Sequence, residues 1–146
     1  MALVGLRIKQ VQGLFFDRQK VLAAVSRAER KVLSQFGAFV RQDARQRIRR
    51  RKRSSRPGES PTNQTGLLKR HIHFAFDPDR RSVVIGPARL NKPSVAPAAL
   101  EYGGQTTLET RPRGRIRVRM EPRPYMGPAF EQEQPRLPAL WRNSVK

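Results

Sequence analysis

Apolar residues recur at a helical period through the early part of the chain. Val21, Val25, Ala28, Val32, Phe36, Val40, Ala44 and Ile48 follow one another at spacings of four or three. Leu22, Leu33 and Phe39 widen the stripe, while Lys20, Arg27, Arg30 and Lys31 lie off it. Asp17 precedes the stripe, and its side-chain oxygen can take up free N–H groups of a first turn. The pattern predicts an amphipathic helix over 17–50, roughly 45 Å long at ~1.5 Å per residue. That exceeds what a small core covers, so one end is expected to project, or Gly37 to mark a bend. An ordinary core-facing helix is the expected reading of the stripe, ahead of a coiled-coil seam. Before it, Leu3, Val4, Leu6, Ile8 and Val11 alternate in part, as a short strand would, until Gly13 interrupts.

Further on the period changes to two. Ile72, Phe74 and Phe76 alternate with His71, His73 and Ala75, Asp77-Pro-Asp-Arg80 turns the chain, and Val83, Val84 and Ile85 precede Gly86-Pro87. This predicts a β-hairpin over 71–86 with Ile72, Phe74 and Phe76 facing the core. Ile116, Val118 and Met120 alternate with Arg115, Arg117 and Arg119, predicting a half-buried strand over 115–120 whose solvent face is a row of guanidinium groups. The stretch 88–113 reads as a loop, and Pro122 and Pro124 end the strand. The segment 124–146 carries Phe130, Leu137, Leu140 and Trp141 and is expected to hold a short helix, interrupted around Pro135 and Pro138. The fold class is therefore α+β in a single domain: a long N-terminal amphipathic helix on a small antiparallel sheet joining the hairpin to the 115–120 strand, with extended arms.

Charge alters this picture. Lys and Arg number 31 against 11 acids, a formal +20, and the cations concentrate in Arg45–Arg56. That run holds Arg45, Arg47, Arg49, Arg50, Arg51, Lys52, Arg53 and Arg56 with no acid among them. Like charges on successive turns should fray the helix there, and 51–66 should be a basic, flexible loop ending in a Pro/Gly/Ser/Thr stretch. Guanidinium groups can fork onto phosphate oxygens and release condensed counterions, so these residues are candidates for nucleic-acid or anion contact. Such contact would be blind to sequence, because none of the common base-reading motifs is visible. A solvated loop that orders only against a partner remains the alternative for the same run.

Catalytic chemistry finds little material. Cysteine is absent, which suits a reducing cytoplasm and removes thiolate chemistry. His71 and His73 share a strand face, but no third ligand completes a zinc site, and they read as exposed or cross-strand-paired histidines. Asp77 and Asp79 flank Pro78 and read as turn formers. Glu131 and Glu133 read as surface charges. Phosphate-cradling loops and nucleophile elbows are missing. Neither an enzyme nor a cofactor is expected. With no run of 18 apolar residues, neither is a signal peptide or a membrane span.

Three short patterns then appear in order. Thr65-Gly-Leu-Leu-Lys-Arg-His-Ile72 resembles the "TG-x-L-x-x-S-I" approach to a first strand in the tail-completion or head–tail joining family of lambda-like siphophages. Ala98-Ala-Leu-Glu-Tyr-Gly-Gly104 is similar to that family's "YA-x-x-x-E-F/Y-G" segment. Arg123-Pro-Tyr-Met-Gly-Pro-Ala-Phe130 is similar to its "R-P-F-M-x-P-A-L". His71 stands where the family often has Ser, Pro97 where a Tyr-Ala pair is commoner, and Gly104 where Thr is frequent. The Arg45–Arg53 run is more basic than the family leads one to expect. Physically, Gly66 lets the chain turn, Glu101-Tyr-Gly-Gly104 permits a reversal with an acid beside an Arg-rich surface, and Pro124 and Pro128 fix the start of a terminal segment.

The resemblance implies a structural virion protein of the phage neck, located in the host cytoplasm during assembly. It would form a homo-oligomeric ring, expected to be a hexamer, between connector and tail-tube proteins and around the DNA channel. Tyr125, Met126, Phe130, Leu137, Leu140 and Trp141 are the candidate subunit-interface residues. The competing expectation is a basic, sequence-nonspecific nucleic-acid-binding protein.

Overall fold

A computed structural model describes residues 17–88, 96–110 and 114–145, with the side chains of 108–110 excepted. The expected strand near Leu3–Val11 lies outside them. Helix α1 spans Arg18–Arg47, and Asp17 caps it by accepting from the Lys20 amide at 3.1 Å. Ala28, Val32, Phe36, Gly37, Val40 and Ala44 are its buried residues. Val21 and Leu22, on the first turns, are exposed, so the N-terminal end projects beyond the core. The helix is continuous through Gly37. A Cβ there would lie 2.7 Å from Val83 Cγ2 and 3.0 Å from Phe74 Cδ2, so the missing side chain admits the hairpin.

After α1 the backbone turns extended at Ile48, whose side chain is fully buried. A one-turn helix, α2, follows at Leu67–Arg70. Strands β1 (Ile72–Asp77) and β2 (Ser82–Pro87) form the expected hairpin, with Phe74 opposite Ile85 and Asp77 opposite Ser82. Ile72 is buried and Phe74 and Phe76 half-buried, while His73 and Ala75 are exposed. Asp77 Oδ1 accepts from the amides of Asp79 and Arg80 at 3.0 and 3.2 Å, the local bonding that makes Asp a turn former. Arg81 closes the turn at φ +51° and forks onto Glu29 of α1, with Nε to Oε2 at 2.8 Å.

The stretch 88–113 is not all loop. It contains α3 (Ala96–Tyr102) and β3 (Gly104–Thr110), and β3 pairs antiparallel with β4 (Gly114–Met120). The 115–120 strand therefore belongs to a second two-stranded sheet and does not extend the first. Its partner reads Gly-Gln-Thr-Thr-Leu-Glu-Thr, with Thr where an apolar alternation would show, so β-branching and not hydrophobicity carries the strand. The terminal segment comprises α4 (Met126–Glu133), a 3₁₀ turn (Gln134–Arg136) and α5 (Leu137–Trp141), broken at Pro135 and Pro138 as expected.

The core unites Phe36, Val40, Ala44, Ile48, Ile72, Tyr125 and Ala129, with Leu68, Val83, Ile85, Leu100, Met126, Leu137 and Leu140 packed against it. Helix α1 thus lies between the first hairpin and the C-terminal helices. Burying one side chain such as Ile72 contributes about 1.5–3 kcal/mol. Several of the buried apolar residues are alanines (Ala28, Ala44, Ala99, Ala129), so the core is thin.

Candidate nucleic-acid interface

The basic run starts on the helix and leaves it. Arg45 is half-buried on the last turn. Arg47 is not an outward cation: its Nε bonds Asp43 Oδ2 at 2.7 Å and its Nη2 bonds Gln132 Oε1, tying α1 to α4. Beyond the buried anchor of Ile48, Arg49, Arg50, Arg51, Lys52, Arg53 and Arg56 are all exposed. Among the described residues no ion pair is formed by these six side chains.

The backbone of this loop is hydrogen-bonded within the fold at several points. Arg49 bridges to Thr62 in parallel, and its carbonyl accepts from the Asn63 amide at 3.0 Å. Thr62 Oγ1 donates to the Arg53 carbonyl at 3.0 Å, and Gln64 Nε2 to that of Lys52 at 3.2 Å. The Gly58 amide donates to the Pro122 carbonyl at 2.8 Å, Ser60 Oγ to that of Pro124 at 3.3 Å, and Arg123 Nε to that of Ser55 at 3.1 Å. Pro61 is fully buried beneath it. Satisfying these groups internally fixes the backbone while the guanidinium groups stay in water. An open cleft of about 460 Å³ runs beside the loop, lined in part by Arg47, Arg49, Arg51, Ser55 and Glu59. Arg50, Arg51, Lys52 and Gln64 line a second, of about 500 Å³.

The second and third motif segments meet at one joint, and the first joins the end of the basic loop. Gly66 adopts φ +81° with its amide donating to Asn63 Oδ1 at 2.9 Å, which turns the chain into α2 and β1. Glu101 is engaged by backbone amides. Its carboxylate accepts from the amides of Tyr125, Met126 and Gly127 at 2.9, 3.0 and 2.7 Å, capping α4. Those amides have no partner within the helix, and the positive end of its dipole favours the anion. A Cβ on Gly127 would crowd Glu101 Oε1 at 3.2 Å. The Arg123 amide also donates to the Leu100 carbonyl at 2.6 Å. Arg123 thus joins the second and third motifs to the basic loop. The amino-acid pattern gave no sign of this, because the partners lie far apart in the chain.

The candidate interface residues divide. Tyr125 is 1 % exposed and belongs to the core of its own subunit. Met126, Leu137 and Leu140 also pack on that core. Phe130 and Trp141 remain exposed, with the Phe130 ring edge-on to Phe36 at 5.8 Å. Glu133, expected at the surface, is buried one turn beyond Ala129 on the inward stripe of α4 and pairs with Arg136 at 3.0 Å. The His71 and His73 rings stand 6.2 Å apart. Among the described residues no group of three or more His, Cys, Asp or Glu could hold a metal, and no helix is long and apolar enough to cross a membrane. No family model, no curated protein and no solved structure matches the chain.

Proposed function

We propose that the chain is a non-catalytic structural subunit of a phage neck, acting in tail completion or head–tail joining as one copy of a homo-oligomeric ring around the DNA channel. The observation that carries this reading is the joint at Glu101. The second and third segments that resemble the family's motifs are bonded to one another through Glu101 and to the basic loop through Arg123, and the first is bonded to Asn63 at that loop's end. Motif positions that hold a fold together, and converge on no cavity of catalytic groups, suit an assembly protein. The exposed Phe130 and Trp141 offer apolar surface to a neighbouring copy, since desolvated aromatics tend to dominate interface energies. In this arrangement the pinned cations of Arg49–Arg53 and Arg56 meet passing DNA through its phosphates. The protein acts in the virion, after assembly in the host cytoplasm, beside connector and tail-tube proteins, and without a cofactor.

One observation favours a second reading, a sequence-nonspecific nucleic-acid-binding protein that needs no ring. The cationic loop is already ordered in a single copy, so phosphate contact requires no neighbour.

The loop itself is tested by changing Arg49, Arg50, Arg51 and Arg53 to Gln, then measuring ring assembly and binding of random duplex DNA. Intact rings with lost DNA binding are expected. Unchanged DNA binding, with failed joining of heads to tails, would contradict the channel contact and assign the loop to an acidic face of the adjoining ring.

A further inference from the structure

The second hairpin has two unlike faces. Its register sets Gln105 opposite Arg119, Thr107 opposite Arg117 and Glu109 opposite Arg115. Because side chains alternate along a strand, these six positions share one face, and Thr106, Ile116, Val118 and Met120 lie on the other. Thr106 is 4 % exposed and Val118 and Met120 are half-buried, so the second face turns inward at that end, while Ile116, expected to be buried, is exposed. Gln105, Thr107, Arg115, Arg117 and Arg119 are exposed. The Cα positions of Arg115, Arg117 and Arg119 stand about 7 Å apart along β4, at twice the ~3.4 Å rise per residue.

In the register Arg117 and Arg119 stand opposite the neutral Thr107 and Gln105, while Arg115 stands opposite position 109. The chain is already at +20, so no general shortage of positive charge accounts for three arginines on one strand. An ordered ribbon with this charge pattern complements a polyanion whose charges repeat along a line. A two-stranded ribbon also fits the width of the DNA major groove, where both walls are phosphodiester backbone.

We propose that the β3–β4 hairpin is a second DNA-contacting element, which lays Arg117 and Arg119 along the phosphate backbone of duplex DNA. It is distinct from the 49–56 loop in chain position and in architecture. The inference rests on the reading that this protein meets DNA, and extends that contact from one loop to a loop and a ribbon. Recognition is through charge and groove shape, with no choice of bases.

The test uses the full chain and random-sequence duplex DNA over a salt series. Each phosphate contact contributes ~0.9 to the slope of log affinity against log salt. The double variant Arg117→Gln/Arg119→Gln should lower that slope by about 1.8, and Arg117→Lys/Arg119→Lys should restore most of it. Thermal melting of each variant should match the parent, since both side chains are exposed. A slope unchanged in the Gln pair, but reduced by the loop variant, overturns the ribbon proposal and leaves the loop contact standing. If the parent itself shows no salt-dependent DNA binding, the reading beneath it falls as well. Loss of binding to an acidic polypeptide with an unchanged DNA slope would also overturn the proposal, and would make the row a protein-docking strip.

Discussion

Gly37 lies where the first hairpin comes closest to α1, and it is the position least tolerant of a single added carbon. Alanine normally gains about 0.5–1 kcal/mol over glycine inside a helix. Here its Cβ would fall within 2.7 Å of Val83 Cγ2, a short branched group that cannot swing away. Overpacking of this kind costs roughly 1–3 kcal/mol, so Gly37→Ala is expected to destabilise by about 1 kcal/mol net in urea unfolding. His73→Ala, on the exposed face of β1, should be nearly silent. A stabilised Gly37→Ala would show that the hairpin does not sit this close. Tyr125 has a different sensitivity. Burial removes solvation from its phenolate and the Glu101 carboxylate adds repulsion, so its pKa is pushed up to about 12 from 10.0. A raised pKa stabilises the protonated, folded form, so this contribution is complete below pH 10 and is lost as pH rises toward 12. Unfolding free energies from about pH 9 upward should fall more steeply for the parent than for Tyr125→Phe, by about 2–3 kcal/mol in all. Parallel curves would mean that the phenol is solvated.

Among the elements, α4 depends most on a contact distant in the chain. Glu101 satisfies three of its first amides, so Glu101→Ala should cost about 2 kcal/mol and loosen the terminal segment from Phe130 onward. Glu101→Gln keeps one carbonyl acceptor and should cost about half as much. Hydrogen exchange at the Tyr125, Met126 and Gly127 amides reads this directly, and protection unchanged in the Ala variant would contradict the cap. The same joint shows why the chain was readable only in part. Helix α1 and the first hairpin declare themselves because their apolar faces keep strict periods, buried from Ala28 to Ile48 and from Ile72 to Phe76 at least in part. Strand β3 does not, since Thr106 and Thr107 look alike in sequence while one is buried and the other exposed. Without β3, the 115–120 strand has no partner to find, and its alternation points to the first hairpin when its true partner is β3. At the basic loop the cations are plain, but its internal hydrogen bonding is hidden. It comes from the carbonyls and amides of Arg49, Ser55, Gly58 and Pro122, whose partners no spacing rule connects. Tyr125, Leu137 and Leu140 looked like interface residues because they are apolar near the chain end. The thin core instead draws all three inward.

For the whole molecule, charge and assembly are coupled. A ring multiplies the +20 of each copy, so closure without an anion is opposed by repulsion that salt screens. Assembly should therefore strengthen with moderate salt or with DNA. Trp141→Ala, which removes an exposed aromatic without touching the basic loop, should weaken assembly while leaving DNA binding intact. Truncating the chain before Leu137 is a poorer probe, because it would also strip Leu137 and Leu140 from the core. The central claim, a ring subunit at a DNA channel, is tested most directly by one measurement: particle mass and electron-microscope images of the purified full chain in moderate salt. Closed rings of a single copy number, expected to be six, with an open channel are the predicted result. A monomer at every concentration that still binds duplex DNA would contradict the claim and establish the ring-free nucleic-acid-binding reading in its place.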